Sequence, residues 1–385
     1  MPRPPLGLAA LGIVNALGRG KAQVAAGLFR GDTSGLVLEE GWIPGRTCRV
    51  GRFRGELPPA PSRAHALLLA AAEEIGPDLE AAKARFGAKR VGVVLGTSTS
   101  GIEHGEAAVA HHAAAGSLPE GFSFAAMELG GLAPFLARAW GLEGPAFTVS
   151  TACTSSGKAL AAARDLIGLG LCDAVVTGGS DGLCRLTLNG FTALEATTAS
   201  LTNPLSRNRA GINIGEGAAL FLVGRDEAPV SLLGAGETSD AHHISAPDPS
   251  GAGAKAALEA ALREAGHPRP DYLNLHATAT PKNDEMESRA VAAVLPGVPC
   301  SGTKPLTGHT LGASAATELA FCWLAMHPEW NPEGRLPPHR WDGEADPALP
   351  ALVLAGEGTP GRPRICASNA FAFGGNNLCL VAGCP

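Results

Sequence analysis

Short apolar runs alternate along this chain with longer Ala/Leu-rich stretches whose apolar positions recur at helical spacing. The runs at 90–96 (R-V-G-V-V-L-G), 173–178 (D-A-V-V-T-G), 217–223 and 229–236 predict buried strands, and 272–276 predicts a strand ending in polar residues. Helices are expected over 62–86, 253–265 and 310–326, the last of them strongly apolar. Pro-rich loops then run to about residue 350, and 364–382 predicts two strands around F-A-F-G-G-N-N. Strands and helices mixed in this way predict an α/β fold with a buried sheet. The polar link at 224–228 divides two stretches that each open with an apolar strand and a Gly-rich turn, so halves at 1–225 and 226–385 are expected.

Composition narrows the functional classes. With 45% hydrophobic and 17% charged residues over 385 positions, the chain is built to bury a large core and not to stay disordered. A net charge of -6 argues against a dedicated nucleic-acid binder. The apolar stretches are short and interrupted, so no membrane span is expected. The start, M-P-R-P-P-L-G-L-A-A-L-G, lacks the n-region, h-region and cleavage site of a signal peptide, which predicts a cytoplasmic protein. Nine cysteines are scattered without a C-x-x-C pair, as expected of small buried hydrophobes in a reducing compartment.

One cysteine has surroundings that set it apart. Cys153, in S-T-A-C-T-S-S-G, lies between an apolar strand at 146–149 and a helix expected from about 154 to 168. The first turn of a helix offers unpaired N–H groups and a positive dipole end, both of which favour a thiolate and an oxyanion. A buried structural cysteine at a strand–helix junction fits the local sequence equally well. A nucleophile needs partners, and two of the 11 histidines sit at element ends among small residues. They are His276 in N-L-H-A-T-A-T-P and His309 in G-T-K-P-L-T-G-H-T-L-G-A. Neither alone is more than a structural histidine, and no H-E-x-x-H or compact ligand spacing points to a metal.

Four segments taken together, T-A-C-T-S-S, N-L-H-A-T-A-T-P-K-N-D, G-T-K-P-L-T-G-H-T-L-G-A-S and S-N-A-F-A-F-G-G-N-N, resemble the elongating β-ketoacyl-acyl carrier protein synthases of the thiolase-like superfamily. Secondary matches are V-V-T-G-G-S-D, N-I-G-E-G-A-A and S-D-A-H-H-I-S-A-P, and the resemblance covers roughly residues 85–385. It implies the thiolase fold, two similar α/β halves stacked in five layers (αβαβα), usually as a dimer. It also implies a Cys-His-His triad of Cys153, His276 and His309. Cys153 would hold an acyl chain received from acyl carrier protein, and both histidines would stabilise the enolate left when malonyl carrier protein loses carbon dioxide. Attack on the acyl-cysteine would give a 3-oxoacyl product two carbons longer.

The same resemblance assigns the oxyanion hole to the backbone N–H groups of Cys153 and Phe373. It makes Lys304 and Glu287 a buried ion pair that orients the triad. Thr278, Thr280 and Ser245 would meet the phosphopantetheine arm, Phe373 would gate the acyl pocket and Phe191 would line it. No metal or organic cofactor is implied. The implied partners are acyl- and malonyl-loaded acyl carrier protein and a second subunit, in a homodimer or in a heterodimer with a related synthase-like chain. Arg207 and Arg209 are candidates for docking the acidic carrier. Two departures are evident: N-R-A-G-I at 208–212 replaces the usual D-R-D-G-F, and Ala372 stands at the first gate position, where Gly is common and Ala is expected to stiffen the gate. Both point to a specialised synthase, of polyene or other secondary lipids. The rivals are a non-catalytic chain-length factor, which usually lacks the nucleophile, and a cysteine-dependent acyl hydrolase or acyltransferase, which would need only one histidine.

Overall fold

The computed structural model describes residues 4–267 and 269–384. Its first half contributes strands β1 (Leu6–Asn15), β2 (Val91–Gly96), β3 (Ala146–Val149), β4 (Ala174–Asp181) and β5 (Gly217–Gly224). The second half contributes β6 (Ser231–Ser239), β7 (Tyr272–Leu275), β8 (Pro299–Gly302), β9 (Ile365–Ala372) and β10 (Asn376–Gly383). The helices that matter for the site are α1 (Arg63–Glu74), α2 (Leu132–Trp140), α3 (Ser155–Gly168), α4 (Arg185–Ala193), α5 (Ala252–Ala265), α6 (Pro281–Val294) and α7 (Ser314–Met326).

The five main strands of each half follow one arrangement, and the second half adds a two-residue strand, Val353–Leu354, outside β8. In the first, the order is β1-β5-β4-β2-β3, antiparallel across β1/β5 and β5/β4 and parallel across β4/β2 and β2/β3. In the second, β6-β10-β9-β7-β8 has the same order and the same directions. A short antiparallel contact, Leu6 with Leu232 and Gly7 with Ser231, joins the half-sheets at their first strands. This duplication is invisible in the residue pattern, because the equivalent strands share geometry and hardly any sequence.

Period-2 alternation along the strands sends side chains to two different cores. Leu8, Leu11 and Ile13 of β1 and Phe221 of β5 face α3 and α7, whereas Val14 and Leu220 face α1 and α2. On the far side, Leu273 and Leu275 of β7 and Val381 of β10 pack on Leu258 and Leu262 of α5 and Val291 of α6. The layers are therefore α1/α2, sheet, α3/α7, sheet, α5/α6, the αβαβα stack that the family resemblance implied. Every residue of α7 is buried, as a helix held between two sheets requires.

Most element boundaries fall within a few residues of the pattern-based expectation. The exception is 62–86, which forms two helices, because Pro77 has no N–H to continue the first and opens the second, Gly76–Phe86. The start of the chain, interrupted by small residues in the sequence, is a ten-residue central strand. Eight of the nine cysteines are buried and none is in a disulfide, in line with their composition-based reading.

Candidate active site

Cys153 stands on a sharp turn between β3 and α3. Ala152 before it takes a left-handed conformation (φ 52°), and Ser155 holds the turn by accepting from Thr151 N (2.9 Å) and donating to Ala152 O (2.5 Å). Strain of this kind at a non-glycine residue persists only where the surroundings enforce it. The helix begins at Ser155, so the nucleophile sits just ahead of the first turn.

His276 ends β7 and is fixed through its backbone. Glu287 of α6 accepts from His276 N (2.8 Å) and Ala277 N (2.7 Å), and Asn369 of β9 donates to the same carboxylate (3.2 Å). Ala277 and Ala279 both adopt positive φ, 39° and 62°, and Asp284 steadies the second by accepting from Ala279 N (3.1 Å). His309 is clamped on both sides by the N-I-G segment: its N–H donates to Asn213 O (2.7 Å), and its carbonyl accepts from Gly215 N (2.9 Å).

These supports bring three distant side chains together. His309 Nε2 lies 3.0 Å from Cys153 Sγ, the imidazole centroids of His276 and His309 are 5.2 Å apart, and the ligand atoms of all three groups lie within 4.8 Å of one another. Lys304, on the helical turn Lys304–Thr307, reaches His276 Nδ1 (3.2 Å) and its carbonyl. An ammonium group only donates, so Nδ1 must accept and the proton of His276 sits on Nε2. His309 Nδ1 makes no hydrogen bond among the described residues, so only the sulfur biases its tautomer.

The buried partner of Lys304 is Glu318 of α7 (2.5 Å), not Glu287 as the resemblance implied. Among the described residues no cation pairs with Glu287, which serves the backbone of the His276 turn instead. Burial pushes both carboxyls up to about 7, against which the lysine beside Glu318 and the N–H donors around Glu287 act. Sequence reasoning passed over Glu318, although a lone acid in an otherwise uncharged, fully buried helix is itself a signal, because such a charge has to be paired.

The expected thiolate is also corrected. Burial pushes the Cys153 thiol up to about 12, with Asp181 and Glu318 adding to the effect and Lys304 opposing it. Burial and the Lys304 charge likewise hold both histidines well below their ordinary value. The resting pair is therefore a neutral thiol donating to a neutral imidazole.

A cavity of about 300 Å³ opens on this group and is lined by Phe191, Phe373, Ser245, Thr278 and Thr280 among others. Thr278 and Thr280 hydrogen-bond to each other (2.9 Å), while Ser245 lies near the mouth and contacts His243. Phe191 of α4 and Phe373 face each other with centroids 5.2 Å apart. Phe373 begins the turn between β9 and β10, whose positive φ values belong to Gly374 (80°) and Gly375 (75°). Ala372 is extended (φ -136°), a conformation open to any residue, so the alanine there does not stiffen the gate through its backbone. Neither docking arginine is free: half-buried Arg209 pairs with Asp346 (2.5 Å), and exposed Arg207 pairs with Glu344 (2.6 Å). Exposed Lys282, on the cavity lining, was not among the residues expected there.

Two family models cover most of the chain, the β-ketoacyl synthase N-terminal domain over residues 45–228 and its C-terminal domain over 230–335. The chain belongs to the β-ketoacyl synthase family. It is thus an acyl-transferring condensing enzyme with a thiolase fold. The synthase is 32% identical to Nodulation protein E of Rhizobium meliloti, over 76% of this chain and 75% of that protein. It is 29% identical to 3-oxoacyl-[acyl-carrier-protein] synthase 2 of Staphylococcus aureus, over 76% and 77% respectively. Among solved structures, it matches a chain of the ketosynthase ApeO in complex with its chain length factor ApeC from Xenorhabdus doucetiae. That match has a TM-score of 0.94 and 42% identity, covering 99% of this chain and 98% of the other. The ishigamide ketosynthase/chain length factor matches with TM-score 0.85 and 27% identity over the full length of both chains. No helix among the described residues is long and apolar enough to cross a membrane.

A histidine outside the reaction reports on the site's support. His339 is buried, with Nδ1 accepting from Gly302 N (2.9 Å) and Nε2 facing Pro204 O (3.0 Å), and so pins the strand end two residues before Lys304. Burial lowers it to about 4. Its folded value lies below the ordinary value of 6.5, so as pH falls through that range the unfolded chain takes up a proton that the native site resists. Stability should therefore fall between about pH 6.5 and 4, and His339→Gln should flatten that slope in thermal melts. Equal slopes in both proteins would contradict this assignment.

Proposed function

We propose that the enzyme loads an acyl chain from acyl carrier protein onto Cys153 and condenses it with malonyl carrier protein to a 3-oxoacyl product two carbons longer. The observation that carries this reading is the 3.0 Å contact between Cys153 Sγ and His309 Nε2, with His276 fixed as a donor beside them. In loading, the thiol proton passes to His309 as sulfur attacks the carrier thioester; the protonated imidazole then returns a proton to the departing carrier thiol. Once acylated, the sulfur is no longer a donor. His309, whose tautomer nothing else fixes, then presents Nε2–H next to that of His276. Two N–H groups aimed at the malonyl thioester oxygen stabilise the enolate formed when carbon dioxide leaves. The enolate carbon attacks the acyl carbonyl, and the Cys153 thiolate leaves and is reprotonated from water, its first proton having departed with the carrier thiol. Cys153 and Phe373 N–H groups would serve as the oxyanion donors of the acyl steps, and the chain's own residues supply each of these roles.

A related subunit as partner has two supports. The solved relatives described above are ketosynthases paired with chain length factors. Strand β3 is an edge of its half-sheet, bonded to β2 on one side only, with Phe147 39% exposed and Leu129 exposed next to Gly130, whose carbonyl accepts from Thr148 of β3. An open, apolar edge is a ready template for another chain. Of the two members of such a pair, this chain is the catalytic one, because Cys153, His276 and His309 are all in place. Lys282 at the cavity mouth is a better candidate than Arg209 for meeting an acidic carrier.

The test is incubation of the purified chain, alone and co-expressed with a related subunit, with acyl- and malonyl-loaded carrier. A 3-oxoacyl carrier two carbons longer is expected. Free acid as the product would favour a hydrolase, and an unmodified chain would favour a non-catalytic partner.

A further inference from the structure

Four segments meet behind the nucleophile: the end of β4, the first turn of α3, the turn at 97–99 after β2, and the turn Leu311–Ala313 that follows His309. Their glycines show how tightly they are pressed together. A Cβ on Gly96 would lie 2.2 Å from Ser156 N, and one on Gly179 would lie 2.7 Å from Ser156 Cβ and 3.3 Å from Ala313 Cα. A Cβ on Gly312 would lie 2.4 Å from Ser98 N and 2.6 Å from Asp181 Oδ2. Ser156 also accepts from Ala316 N (3.0 Å), so the first turns of the two central helices are tied directly.

Asp181, the last residue of β4, is fully buried at this junction. Its carboxylate accepts from Thr97 Oγ1 (2.5 Å), Ser98 N (2.9 Å), Thr99 N (2.8 Å) and Thr99 Oγ1 (2.7 Å). All of these donors come from the one turn that Gly312 packs against, and no cation is among them. A buried carboxylate is tolerated only with donors of this kind, whereas a packed apolar residue would need none. Its position calls for a role that an apolar residue could not fill.

We infer that Asp181 is a positioning residue for the condensing reaction, fixing the 97–99 turn as the backstop against which Gly312 and hence His309 are set 3.0 Å from Cys153 Sγ. Its negative charge acts on the sulfur as well. The charged and titratable groups facing Cys153 are His309 and His276, the Lys304 cation, and the Asp181 and Glu318 acids, while Cys184 is a further neighbour of Asp181. Burial raises the thiol most and Asp181 adds to it, so together they keep the proton on sulfur until His309 receives it during acyl transfer. The inference rests on the condensing reading of the site.

The test uses the full chain with Asp181→Asn and Gly312→Ala. For each, the pH dependence of Cys153 alkylation by iodoacetamide and the steady-state condensation kinetics are measured beside wild type. Asp181→Asn should move the alkylation midpoint down by about one unit, because a like charge near the sulfur is gone. It should also lower kcat about tenfold or more, with the malonyl-carrier KM little changed. Gly312→Ala keeps the charge while pressing on the 97–99 turn and on the Asp181 carboxylate, so its alkylation midpoint should stay closer to wild type than that of Asp181→Asn while kcat falls. An unmoved midpoint in a folded Asp181→Asn protein, or wild-type kcat in Gly312→Ala, would overturn the inference. Should Asp181→Asn fail to fold, the Gly312→Ala kinetics decide. Alkylation does not depend on the reaction catalysed, so absent condensation in wild type would instead count against the reading of the site.

Discussion

Cys153→Ala should gain no acyl mass from acyl carrier protein and should lose condensation by at least about 10⁴-fold, since the acyl chain has nowhere to be stored. The substitution removes one sulfur and leaves the two imidazoles and the Lys304–Glu318 pair in place. Decarboxylation of malonyl carrier protein should therefore continue without condensation, giving the acetyl carrier. Intact-mass spectra of enzyme and carrier measure both outcomes in one experiment. Acyl mass on the alanine variant would show that the sulfur of Cys153 is not the acceptor.

The two histidines should separate the half-reactions. His276 does not touch the sulfur, and Lys304 holds it with its proton on Nε2. His276→Ala should load acyl chains at close to the normal rate and lose about 10²–10³-fold in condensation, as expected on removing one donor to a developing oxyanion. His309 is the imidazole in contact with the thiol (3.0 Å), and burial holds that thiol up to about 12. His309→Ala should thus slow both loading and condensation, because the sulfur loses its proton acceptor and the enolate loses a donor. Single-turnover loading followed by a malonyl chase distinguishes the variants. Identical loss of loading in both would mean that the histidines act as one structural unit.

Much of this site was legible before any coordinates. Cys153, His276 and His309 announced themselves by small polar neighbours at element ends, and the four ordered motifs made their convergence an expectation. The helices and strands followed from periodicity, since their apolar faces are sorted between cores on either side of each sheet. What could not be read were matters of direction and pairing. Lys304 and Glu287 are both within reach in sequence, but only the packing of α7 shows that Glu318 holds the lysine while Glu287 turns to backbone N–H groups. A helix start beside Cys153 argued for thiolate, whereas full burial reverses the balance, and burial is a property of the whole fold. The duplication of the halves was hidden for a related reason. Strand order and direction were repeated while the side chains diverged to suit different neighbours.

The most direct test of the account is a rapid-quench peptide map of the wild-type enzyme, first with acyl carrier protein and then with malonyl carrier protein. The account predicts one acyl group on the peptide bearing Cys153, which disappears on the chase at the rate that carbon dioxide and the lengthened 3-oxoacyl carrier form. An acyl group that sits elsewhere, or that leaves Cys153 as free acid while malonyl carrier protein is untouched, would contradict it.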